Sequence, residues 1–185
     1  MSKLLLLGDT QIERFPKEFI EKENIQVVNV GIKNIEILSY YNMLPKIFER
    51  IKIEDYIILQ IGITNLLNLY SRKINQKDIE NLVNNTKKII YSIHKQGASI
   101  LVMPVYPTRN NKLNKLIEEY NYELAKHCYE CEIDFLDIYE LLLDENNLLK
   151  ESYTNNGLKL NKTGYQVVGN QITEYFHLLE NNYLK

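Results

Sequence analysis

Along the chain, short unbroken apolar runs alternate with longer stretches in which apolar residues recur every three or four positions. The runs are KLLLLG at 3–8, IQVVNVG at 25–31, DYIILQIG at 55–62, SILVMPV at 99–105 and IDFLDI at 133–138. Their lack of polar alternation predicts strands covered on both faces, as in a parallel sheet. The stretches 34–51, 76–97 and 111–130 predict helices, the second of them stopped by Gly97. A last segment, 161–182, puts Tyr165, Val168, Ile172, Tyr175, Phe176 and Leu179 on one helical face, with Asn161 and Thr163 as its caps. Strand, helix and strand repeated in this way imply a three-layer α/β fold with right-handed crossovers and about five parallel strands. No linker, repeat or low-complexity tract interrupts the pattern, so residues 1–185 are expected to form a single domain.

Composition narrows the partners. The chain is 45% hydrophobic and 25% charged, enough apolar surface to bury a core and unlike a disordered sequence. A formal net charge of -2 leaves no basic surplus for a phosphate backbone, and no nucleic-acid partner is expected. The opening MSKLLLLGDT is too short for a signal h-region or a membrane span, which predicts a cytoplasmic protein if this is the natural start. Cys128 and Cys131 form a lone C-Y-E-C beside His127 in a predicted helix. A tetrahedral metal site needs a second ligand pair, so the expectation is two reduced thiols and no metal.

The familiar phosphate and nucleophile motifs of α/β proteins are missing. There is no G-x-G-x-x-G, no G-x-x-x-x-G-K-[ST] and no G-x-S-x-G, and no cofactor is expected. The third strand ends without an acid, and Asp9 alone does not make a magnesium site. What remains is the rim at the carboxyl ends of the strands, where open parallel sheets bind ligands. Its segments are Gly8-Asp9-Thr10, Asn29-Val30-Gly31-Ile32, Gly62-Ile63-Thr64-Asn65 and Pro104-Val105-Tyr106-Pro107, followed by YTNNGLKLNKTGY at 153–165.

Taken in order, G-D-T, N-V-G-I, G-I-T-N-L and N-N-G-L-K-L-N-x-x-G-Y resemble the blocks of the SGNH, or GDSL, hydrolase family. The resemblance runs from residue 3 to about 180 and implies the flavodoxin-like three-layer fold of those esterases and lipases. It places the family's serine on Thr10, its oxyanion glycine on Gly31, its oxyanion asparagine on Thr64, and its aspartate and histidine on Asn156 and Lys159. Only the glycine is kept. A shift of one position lets Asn65 stand for the asparagine but leaves the following aspartate place unfilled. His94, His127 and His177 all fall in predicted helices, away from the rim loops.

An ester hydrolase of this kind needs a hydroxyl, a base, an acid to orient the base, and oxyanion donors. Loss of the nucleophile or base costs on the order of 10⁴- to 10⁶-fold in turnover. Lys159 is the one alternative base placed on the rim, and a lysine brought from about 10.4 to about 7 must be desolvated at a cost of about 4.6 kcal/mol. Each position also has a structural reading. Thr10 caps a helix, with Glu13 completing a capping box. Gly31 serves a turn through positive φ or close approach, and Thr64 and Asn65 bond loop backbone. Asp9, Tyr106 and Arg109 are expected to line the ligand site, Arg109 as an anion clamp. Two functions follow: a non-hydrolytic relative binding a small ester-like or carbohydrate ligand or a protein partner at the rim, or an acyl-ester hydrolase using Thr10 with Lys159. The residue chemistry favours the first.

Overall fold

The computed structural model describes residues 2–20, 25–49, 56–72 and 75–182. Five strands, β1 (Ser2–Gly8), β2 (Ile25–Asn29), β3 (Tyr56–Gln60), β4 (Ser99–Val102) and β5 (Asp134–Phe135), pair in parallel in the order β2-β1-β3-β4-β5. The helices are α1 (Thr10–Glu13), α2 (Ile37–Phe48), α3 (Ile63–Tyr70), α4 (Gln76–His94), α5 (Asn111–Glu130) and α6 (Lys162–Asn182).

The leucine run of β1 is buried on both faces because side chains alternate along a strand. Leu5 and Leu7 pack into a core with α2, α3, α4 and α5, whereas Leu4 and Leu6 pack into a second core with α1 and α6. Three layers result. Val168 and Ile172 of the last helix are fully buried, and Tyr165 packs beside them, as the helical spacing predicts. Its cap is Asn161 alone, whose Oδ1 accepts the Gly164 N–H at 3.0 Å, while Thr163 lies inside the first turn.

Two elements differ from the apolar pattern. β5 spans two residues rather than six: after the Leu136 N–H bonds Val102 O at 2.9 Å, the chain turns and buries Ile138 against the α6 side. The rim segment after β3, read as a loop, is the first turn of α3. Tyr120 of α5 secures that corner, its buried hydroxyl donating to Ile61 O at 2.9 Å and sharing a hydrogen bond with Thr86 at 2.8 Å. Among the described residues no helix is long and apolar enough to cross a membrane.

Candidate functional site

The rim begins where β1 ends. Asp9 is the N-cap of α1: one carboxylate oxygen accepts the Gln11 N–H at 3.2 Å and the other the Gly62 N–H at 2.8 Å. The amides of Ile63 and Thr64 also point at it, so one acid holds the starts of both α1 and α3. Asp9 is 1% exposed, and this burial outweighs the four amides and pushes its carboxyl from 3.8 up to about 6. The folded chain therefore binds the proton more tightly than the unfolded chain. Stability is expected to fall by about 3 kcal/mol as pH rises from about 4 to about 6, then to level off. Asp9→Asn, which cannot titrate, should flatten that slope in urea unfolding, and parallel profiles for the two proteins would sink the assignment.

Since Asp9 caps α1, Thr10 is its first helical residue and not the cap of a box with Glu13. The Thr10 hydroxyl crosses to the loop after β2, accepting the Asn34 N–H at 2.7 Å and donating to Asn34 Oδ1 at 3.3 Å. Asn34 takes φ of 56°, a left-handed conformation that asparagine tolerates. The hydroxyl thus closes a ring with one residue.

The other family positions are bonded in the same way. The Gly31 N–H donates to Asn29 Oδ1 at 2.9 Å, and Asn29 Nδ2 donates to Ile12 O at 2.7 Å, tying β2 to α1. Asn65 Oδ1 accepts the Ile37 N–H at 2.8 Å and so caps α2 from a neighbouring helix. Neither Thr64 nor Asn65 bonds a loop of its own: both lie in α3. Asn156 Oδ1 accepts the N–H groups of Leu158 and Lys159, each at 3.0 Å, an Asx turn that shapes the loop before α6.

A cleft of about 450 Å³ opens beside Thr10. Thr64 and Lys159 reach it, whereas Asp9, Gly31, Asn65 and Asn156 do not line it. Three expected ligand contacts, Asp9, Tyr106 and Arg109, do not line it. Tyr106 is 1% exposed, packed edge-on to Tyr165 in the core on the α6 side. Arg109 is occupied by the protein itself, donating to Asp144 Oδ2 at 3.0 Å and Leu149 O at 2.7 Å and pairing with Glu151 at 3.1 Å.

The pattern reading missed Arg14, Asn34, Glu36 and Asn68, which do line the cleft. Arg14 follows Thr10 by one helical turn, the single signal available in sequence; the others come from loops and helices whose meeting is tertiary. None of the three histidines reaches the cleft. Cys128 is buried and Cys131 exposed near the end of α5, with Cys131 Sγ 3.7 Å from His127 Nδ1. Because α5 connects the parallel strands β4 and β5, its last turn lies at the amino ends of the strands, opposite the rim. Among the described residues no group of three His, Cys, Asp or Glu is arranged to hold a metal ion.

The sequence pattern of the GDSL-like lipase/acylhydrolase family matches residues 8–167, nearly the whole chain and every rim segment just described. The chain belongs to this family. Solved GDSL relatives share its fold at low identity. A member of the lipolytic G-D-S-L family from Veillonella parvula superposes with a TM-score of 0.78 at 17% identity, covering 96% of this chain and 99% of that one. An acetyl xylan esterase gives 0.77 at 16%, covering 94% and 98%. Among curated proteins, N-acylneuraminate cytidylyltransferase of Escherichia coli is 23% identical over 178 residues, or 94% of this chain and 40% of that protein. The chain therefore spans less than half of that relative.

For a GDSL-like protein the bonding at this rim is chemically telling. A serine-type nucleophile works when a base accepts its proton. Here the hydroxyl proton goes to an amide oxygen, which has no useful basicity, and the oxygen already accepts an N–H. Among the described residues Thr10 has no hydrogen bond to Lys159.

Proposed function

We propose that this GDSL-like protein, acting as one domain over 1–185, binds a small polar ligand of the carbohydrate class in the Thr10 cleft without hydrolysing it. The observation that carries the reading is the closed Thr10–Asn34 pair, which supplies no base. The cleft mixes amide and hydroxyl groups from Gln11, Asn34, Thr64 and Asn68 with apolar surface from Ile63, Leu67 and Leu158. That combination suits a ring with hydroxyls on its edge and CH groups on its face. Likeness to an acetyl xylan esterase and to part of an N-acylneuraminate enzyme accords with a sugar ligand.

The competing reading keeps hydrolysis, with Lys159 as base. It draws on Lys159 and Thr10 sharing the cleft. A lysine base requires extensive burial, and Lys159 is only partly covered. The test is hydrolysis of p-nitrophenyl acetate and an acetylated sugar by the purified protein beside Thr10→Ala and Lys159→Ala. All three are expected to match the background rate. A natural chain faster than both variants by about 100-fold or more would make it a threonine-lysine esterase.

A further inference from the structure

The cleft carries a charge pattern that neither the family match nor the loss of a base explains. Two cations, Arg14 and Lys159, line it against one acid, Glu36. Glu36 is engaged by α3, its Oε1 accepting the Asn68 Nδ2–H at 2.7 Å. Neither cation has a carboxylate partner among the described residues. Arg109, which follows β4 at the rim, is by contrast ion-paired twice, to Asp144 and Glu151. The excess is local, because the chain as a whole carries a formal net charge of -2.

Their positions are complementary. Arg14 ends α1, within electrostatic reach of the Tyr165 hydroxyl, and Lys159 projects from the turn built by Asn156. The two come from segments far apart in sequence, yet both face the space beside the Thr10 hydroxyl. A neutral ester or neutral sugar can accept a hydrogen bond from either cation but brings no charge to pair with it. A carboxylate or phosphate monoester adds Coulomb attraction to those hydrogen bonds, from both cations at once.

We infer that the ligand of this cleft is an anion, a sugar acid or sugar phosphate, with its charged group held between Arg14 and Lys159. The inference rests on the ligand-binding reading above and adds the charge of the ligand. Glu36 sits on the α2 side and sets the direction: the anionic end lies toward α1 and the 153–165 loop, and the hydroxylated body toward Glu36 and Asn68. Lys159, which stands where the family's histidine would, thus serves recognition.

The experiment is calorimetric titration of the natural chain, Arg14→Gln, Lys159→Gln and the surface control Lys88→Gln. The probes are N-acetylneuraminic acid, its methyl ester and N-acetylglucosamine 6-phosphate. The methyl ester keeps the sugar body and removes the charge. At least one charged probe is expected to bind about fivefold or more tightly than the ester, with each cleft variant losing about fivefold and Lys88→Gln unchanged. Which charged probe wins decides between carboxylate and phosphate. Acid and methyl ester binding alike, with no phosphate preference, would overturn the anion inference and leave sugar binding standing. Silence of all three probes at about 10 mM would overturn it as well. Thr10-dependent hydrolysis would instead sink the non-hydrolytic reading, and charge selectivity would then be read as a lower KM for charged esters.

Discussion

Thr10→Ser, Asn156→Asp and Lys159→His made together are expected to give ester hydrolysis about 10²- to 10³-fold above the natural chain. The three positions take the family's nucleophile, orienting acid and base, and the fold supports the exchange. Residue 159 already lines the cleft beside residue 10. An aspartate at 156 can accept the Leu158 and Lys159 amides that the asparagine accepts now, so the turn keeps its shape while gaining a charge for an imidazolium. Serine removes the methyl that restricts threonine's χ1. Full family activity is not expected. Thr64 still stands in place of an oxyanion asparagine, and the Gly31 N–H still serves Asn29. One missing oxyanion donor costs about 10²- to 10³-fold. The readout is kcat/KM on p-nitrophenyl acetate against pH, where a new histidine base gives a limb near about 6.5. A folded triple variant with no gain would mean that these residues do not occupy the places of a triad.

Gly31→Ala is expected to cost about 3 kcal/mol of stability, read as a lower urea midpoint with an unchanged slope. Gly31 is the one member of the family's catalytic set kept here, and its conservation of type invites an oxyanion role. The packing gives another reason. A Cβ at this position would lie 2.3 Å from Glu13 N, 2.7 Å from Glu13 Cα and 2.8 Å from Ile12 C. All three are backbone atoms of α1, which cannot swing aside as a side chain tip would. Gly31 is not among the residues of positive φ, so close approach and not turn geometry requires the glycine. The same contact presses the loop after β2 against α1 and brings Asn34 to Thr10. A loss below about 1 kcal/mol would show that α1 yields and that this contact is loose.

The layout of the fold was legible in the chain because covered strands and amphipathic helices leave opposite periodicities. Leu4 to Leu7 and Tyr56 to Gln60 read as buried strands, and Tyr165, Val168 and Ile172 as a helix face, from composition within a few residues of themselves. The family's rim blocks were legible for the same reason: each is contiguous. α3 was not, because Gly62 offers no capping side chain and its N-terminus is satisfied by Asp9, 53 residues earlier.

Contiguous patterns in the chain were enough for the five strand runs, the lack of a histidine in the rim segments and the substitution of Thr10, Asn156 and Lys159 into a hydrolase frame. What those residues bond to follows from contacts between distant segments. Thr10 is bonded to a residue 24 positions away, Asn65 caps a helix 28 positions back, and Arg109 reaches 35 positions on to Asp144. Side-chain identity fixes which bonds a residue can make, but a hydrogen bond of about 3 Å depends on where the backbone carries its partner, and periodicity holds no record of that.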